Sequence, residues 1–290
     1  VDFTAFDRIF AVPAFRTGGQ DAVLNFSVAL GDAVFAETGV HLSLTVGSSA
    51  DDELEVTVPG TLAGANCVGD LLTPLDKLPK ISVAEAYLDA DLSNQVLHSF
   101  WASGYMHTTI TEDTLGDMAE PYGLSDPKVT IAPTLPPVLT TCTDLGDAEL
   151  QLGDVHVVAE FGSALGPLVL DLYASGTVGA DLTTYPVADG PDALGIEAIN
   201  PGTVVLDLQS IEGDVTLFSD EMIELLLGSI LSDVLAGDLF MGLVGSFPLP
   251  SVPIGEYIPG LPADATLAFD PKTLQGDGAH MVLGGDLETN

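Results

Sequence analysis

Apolar and polar residues alternate with period two along much of this chain, in short stretches separated by Gly- and Asp-rich turns. AVLNFSVAL (22–30), VHLSLTV (40–46) and ELEVTV (53–58) predict an antiparallel meander with one wet face. KVTIA (128–132), AELQLGDVHVVAEF (148–161), LVLDLYASGTVGADLT (168–183), LGIEAI (194–199), TVVLDL (203–208) and GDVTLF (213–218) extend the series. ATLAFD (265–270) and GAHMVLGGDL (278–287) add two final strands. No short-period repeat interrupts the pattern.

Three segments depart from it. FTAFDRIFAVPAF, near the start, is ambiguous, a short amphipathic helix ended at Pro13 being one reading. Ala84, Ala86 and Leu88 alternate as a strand, after which Leu92, Val96 and Phe100, with Leu97 and Trp101 beside them, repeat at helical spacing. Ser82 with Glu85 matches a capping box, Asp89 or Asp91 serves equally as N-cap, and Gly104 supplies the stop. The reading is a strand running into a helix of about three turns over Asp91–Ser103. The third segment is SDEMIELLLGSILSDVLAGDLFMGLVGSFPLP (219–250). Ser219, Asp220, Glu221 and Glu224 suit a helix N-terminus, and Pro248 and Pro250 end it, giving about 29 residues and a rod roughly 43 Å long. Ile223, Leu226, Leu227, Ile230, Leu231, Val234, Leu235, Phe240, Leu243 and Val244 cover most of its circumference. Asp233 and Asp238 near its middle would each cost about 2.5 to 3.5 kcal/mol in hydrocarbon, which argues against a transmembrane segment. A long helix wrapped by strands is the reading that follows. The fold class expected is α+β, with a curved antiparallel sheet.

Charge narrows the partners. Six Lys and Arg stand against 43 Asp and Glu, a formal −37, and no Lys or Arg occurs between Lys128 and Lys272. Such a surface repels nucleic acid and anionic membranes and suits salty or calcium-containing surroundings. A hydrophobic content of 47% nevertheless places the chain among globular proteins. Cys67 and Cys142 match no metal spacing; they read either as one disulfide in an exported protein or as two buried thiols, and the acidic, Lys-poor composition favours the disulfide. Val1 is not an initiator Met and no signal peptide is visible, so the chain reads as a processed product or a fragment. The connector VGDLLTPLDKLPK (68–80) divides the chain into an N-terminal β segment, 1–80, and a larger module, 81–290.

The order of elements carries a resemblance. AYLDADLSNQVLHSFWASGYMHTTIT is similar to the opening of the C-terminal module of the bactericidal/permeability-increasing protein and lipid-transfer family, where a strand precedes a helix with an LNQ-like turn and an aromatic shortly before a glycine. SFPLP (246–250) resembles that family's helix-ending GFPLP, and LGGD (283–286) its closing segment. Residues 22–60 resemble the end of its first module; the likeness spans roughly 22–290 and is strongest over 82–290. It implies the tubular lipid-binding (TULIP, BPI-like) fold, a strongly curved antiparallel sheet wrapped around a long apolar helix, plus the N-terminal β segment. It also implies an exported bacterial protein, secreted, periplasmic or at the cell surface, that carries or transfers phospholipid or fatty acid in an apolar slot without a cofactor. The residues so implicated are Leu92, Val96, Phe100, Trp101, Ile223, Leu226, Leu227, Ile230, Leu231, Val234, Leu235 and Phe240. Two departures matter: the basic tip of the family's antibacterial members has no counterpart here, and a Cys67–Cys142 bridge would be this protein's own.

Enzymatic motifs are missing. GSSAD at Gly47 and FGSALG at Phe161 fall short of GxSxG, so no nucleophile elbow is expected. His41, His98, His107, His156 and His280 form no HxxxH or HExxH pair, and no metal site is expected from them. DADLSNQ at Asp89 opens like a calcium loop, but Asn94 and Phe100 stand where that loop needs Gly and Glu. Asp51, Asp52 and Glu53 leave only diffuse calcium binding. The function expected is non-enzymatic lipid binding; the alternative is a structural or adhesive surface protein with a filled core and no ligand.

Overall fold

A computed structural model describes residues 6–12, 21–36, 39–50, 84–115, 123–185, 193–213, 227–228, 252–253, 262, 265–277 and 280–289. These form three antiparallel sheets. The first joins β1 (Phe6–Val12), β2 (Ala22–Ala36) and β3 (Gly39–Ala50) in sequence order. Next in the chain come β4 (Ala84–Asp89), α1 (Ala90–Ala102), β5 (Thr108–Thr111) and the one-turn α2 (Glu112–Leu115). The second and largest sheet has the order β10-β9-β8-β6-β5, with β6 at Leu124–Pro133, β8 at Ala148–Ser163, β9 at Gly166–Tyr185 and β10 at Ala193–Glu212. The short β7 (Val138–Thr140) also pairs with β8. The third sheet runs β11 (Val252–Pro253), β12 (Thr266–Asp277), β13 (His280–Thr289) and back to β4.

The α+β expectation is overturned. The protein is mostly β, built on a curled antiparallel half-barrel sheet, and among the described residues α1 is the only helix of seven or more residues. Among the described residues no long apolar helix organises it. Within 219–250 only Leu227 and Gly228 are described, and they are helical; the rest of that segment lies outside the described residues. The reason for the misreading is physical. A run apolar on every side carries no period that separates helix from buried strand. Gly228, Gly237, Gly242 and Gly245 would each weaken a helix interior by about 1 kcal/mol relative to Ala. The amphipathic helix read near the start is a strand: β1 pairs with β2 from Phe6↔Val28 to Val12↔Ala22. Phe, Ile and Val are good strand residues, and a ready partner overrides weak local helical spacing.

Where the pattern was strictly alternating, it holds. In β9 Leu168, Leu170, Leu172, Ala174, Val178, Ala180 and Leu182 are all buried, while Val169, Asp171, Tyr173 and Ser175 between them are only partly covered. In β8 the buried set Ala148, Leu150 and Leu152 shifts by one residue to Val155, Val157, Ala159 and Phe161. A bulge between Leu152 and Val155 absorbs the extra residue, with Asp154 at φ 48°. The Asp154 amide donates to Ser175 Oγ at 3.1 Å, and its carbonyl accepts from the Thr134 amide at 3.2 Å. The irregular residue is therefore tied on both sides.

The strand-helix unit forms as the spacing predicts, and its end is well built. Gly104 takes φ 76°, its amide donates to the Trp101 carbonyl at 3.0 Å, and the Tyr105 amide donates to the Phe100 carbonyl at 3.2 Å. This is a Schellman stop, and the apolar contact that accompanies such stops is the Phe100–Tyr105 ring pair, 4.8 Å between centroids. One buried cluster joins Leu24 and Ala50 of the first sheet, α1, the inner face of the half-barrel, Leu227, and Met281 and Leu283 of β13. Residues 1–80 thus contribute to the same core as the larger module, while the connector 68–80 lies outside the described residues.

Candidate functional site

The half-barrel has two chemically distinct faces. Directly opposed residues in neighbouring strands share a face, so the register defines rows across the sheet. One row is Thr108, Ile131, Val157, Leu172, Leu208; the next is Ile110, Val129, Ala159, Leu170, Ile211; a third is Pro133, Val155, Ala174, Leu206. Apart from Thr108 these are apolar. From β5 to β9 they are buried, Val129, Val155, Val157, Ala159 and Leu172 at 0% exposure. On β10, the outermost strand, both faces open: Val204 is 38% and Leu208 40% exposed on this face, and Val205 64% on the other. The opposite face is polar. Lys128 pairs with Glu160 at 2.7 Å, and His156 Nε2 lies 2.9 Å from Asp171 Oδ1 while its ring stacks on Tyr173 at 5.0 Å. Thr109 and Thr130 face each other across β5 and β6 at 3.4 Å.

Helix α1 lies over one end of the apolar face. Val96, Leu97, Phe100 and Trp101 are buried and Leu92 packs against the same cluster, which places four of the expected site residues in the core. Polar groups fix its position. Trp101 Nε1 donates to the Pro133 carbonyl at 2.8 Å, so the indole is anchored to the end of β6. Asn94 acts as a short piece of strand: its Nδ2 donates to the Leu139 carbonyl at 3.0 Å and its Oδ1 accepts from the Leu139 amide at 2.7 Å. On the other side of the helix Ser48 Oγ donates to Ser99 Oγ at 2.9 Å, and Ser99 Oγ donates to the Gln95 carbonyl. These contacts tie α1 to β7 and β3.

Leu227, also expected in the site, is buried in the same cluster. Ile223, Leu226, Ile230, Leu231, Val234, Leu235 and Phe240 lie outside the described residues, as does Cys67. Cys142, half-buried after β7, donates its amide to Thr140 Oγ1 at 3.1 Å. Sequence reading missed the larger part of the apolar surface, the inner rows of β8, β9 and β10. The parity of LVLDLYASGTVGADLT carries the signal for one strand, but the face it belongs to is set by pairing with distant strands.

Two titratable groups border this face. Burial, and secondarily the negative charge of Asp21, raises Tyr105 above the ordinary phenol range. Burial lowers His107, so the neutral imidazole is favoured there. Among the described residues no group of three or more His, Cys, Asp or Glu is placed to hold a metal ion, and no helix is long and apolar enough to cross a membrane. No protein-family model matches the chain, and no curated protein matches it either.

Proposed function

We propose that this protein binds lipid acyl chains without chemistry on them, as a carrier or transfer module, using the inner face of the half-barrel. The observation that carries the proposal is the continuity of that face: apolar rows packed from β5 to β9 emerge at β10 with Val204 and Leu208 open to solvent. An acyl chain laid against such a rim gains about 0.8 kcal/mol for each methylene removed from water, so eight methylenes contribute about 6 kcal/mol without one polar contact. The likeness of Ala86–Thr111 to the strand and helix that open the lipid-transfer module supports the same reading. The carrier works outside the cytoplasm, Cys67 and Cys142 form a bridge, and nucleic acid is not a partner. Intact mass before and after alkylation, with and without reductant, tests the bridge.

Native mass spectrometry of the purified protein, followed by organic extraction, tests the function. Lipid bound in whole-number stoichiometry and lost in the Leu208→Asp variant, which alters an exposed position, is the expected result. A bare mass after incubation with mixed liposomes would refute it. The second reading, a structural or adhesive surface protein, is favoured by the close packing at the centre of the face, where five side chains have no exposure at all. It predicts the bare mass.

A further inference from the structure

The inner face of the half-barrel holds one group that does not belong among its neighbours. Thr108 stands at the head of the row Ile131, Val157, Leu172, Leu208, is 4% exposed, and its Oγ1 has no hydrogen-bond partner among the described residues. A buried hydroxyl left unpaired destabilises a fold, and Val has nearly the same shape without the penalty. Apart from Thr108, the rows of this face described above carry no polar side chain. The hydroxyl is thus a donor awaiting an acceptor inside an apolar surface.

We propose that Thr108 donates a hydrogen bond to the carbonyl oxygen of an acyl ester whose hydrocarbon lies along this row towards β10. The inference rests on the lipid-binding reading above. The row crosses five strands, and four interstrand steps at about 4.8 Å make it roughly 19 Å long, a span for an extended acyl chain. Binding along the row requires the apolar side chains that bury Ile131, Val157 and Leu172 to give way to hydrocarbon, one apolar contact for another. The acceptor is a neutral ester and not a free carboxylate. One hydroxyl does not offset the desolvation of an ion, and a chain of net charge −37 adds repulsion. A phospholipid and a neutral glyceride offer the same carbonyl.

The test compares methyl palmitate with hexadecane, each delivered from cyclodextrin and quantified on the protein by native mass spectrometry. Wild type is expected to prefer the ester by about three- to tenfold, the value of one neutral hydrogen bond. Thr108→Val should abolish the preference while still binding both probes, and Thr108→Ser should keep it. Lipid-free Thr108→Val should melt at or above the wild-type temperature, because it removes an unpaired group. An equal preference in Thr108→Val, or a lower melting temperature, overturns the assignment of the hydroxyl and leaves lipid binding standing. Failure of wild type to take up either probe overturns both. Offering phosphatidylcholine and diacylglycerol in parallel identifies which class of ester is preferred.

Discussion

Replacing Asn94 by Asp changes one atom of the side chain and reverses half of its chemistry. The amide satisfies both backbone groups of Leu139, accepting from its N–H at 2.7 Å and donating to its carbonyl at 3.0 Å. A carboxylate keeps the first bond and turns the second into an oxygen-oxygen repulsion at the same separation. Both residues are half-buried, so water offers partial relief, and the loss is put at about 2 kcal/mol, the lower half of the range for removing one partner of a buried bond. For a chain of this length that lowers the melting temperature by about 3 °C. The sign with pH follows from linkage. The carboxyl of the variant is held neutral by the Leu139 carbonyl, so its folded pKa lies above the unfolded value of about 3.9. The deficit is complete above the folded pKa and disappears as the pH falls through it, because the protonated carboxyl donates as the amide did. Subtracting wild-type from variant stability at each pH, by urea titration, removes the contribution of the other carboxylates. A deficit that is constant from neutral pH to pH 4 would refute the two-way pairing. So would an Asn94→Ala variant as stable as wild type.

Three further perturbations probe other parts of the fold. Gly104→Ala forces a Cβ into a left-handed residue at φ 76° and should cost about 1 to 2 kcal/mol, read as a lower urea midpoint with an unchanged slope. His107 is held below its ordinary value of 6.5 by burial, so the unfolded chain takes up a proton that the folded one refuses; stability falls as the pH drops from about 7 towards the folded value, and His107→Gln should flatten that part of the profile. In β8, deleting Asp154 removes the extra residue of the bulge and leaves Leu152 and Val155 on one face, whereas deleting Val158 turns Ala159 and Phe161 to the polar side. The first variant should remain soluble and cooperative in thermal melts and the second should not; equal outcomes would mean that the bulge does not set the parity.

How much was legible depends on whether a pattern had one physical explanation or two. Alternation in β9 had one, since residues spaced by two share a face only in an extended chain, and the buried set is the one the sequence displays. The unit of β4 and α1 was legible for a similar reason: Gly104 after Phe100 and Trp101 is a stop signal with few other meanings. LGIEAI and TVVLDL read as two strands because Pro201 and Gly202 separate them, yet β10 runs through both. It is the outermost strand of its sheet, where a missing N–H costs least, and bulges at three places absorb the irregular residues. Of the segment 219–250, read as one long helix, only Leu227 and Gly228 are described.

The candidate site divides along the same line. Val96, Phe100, Trp101 and Leu227 were singled out because they are large and apolar, and all four are buried, but burial of such residues follows from the hydrophobic effect whatever the protein does. What distinguishes a binding face from a core is its departure from that rule. Two kinds of departure occur along the inner face of the half-barrel, and neither is visible in hydropathy. Val204 and Leu208 are apolar and open, because they lie on an outer strand whose position depends on sheet order. Thr108 is polar and closed, because β5 pairs with Ile131 in a register that turns its hydroxyl inward. TTIT alternates no more clearly in one phase than in the other, so the pairing partner decides which threonine is buried. Function is therefore to be sought where long-range pairing overrides residue type, at the two ends of one row.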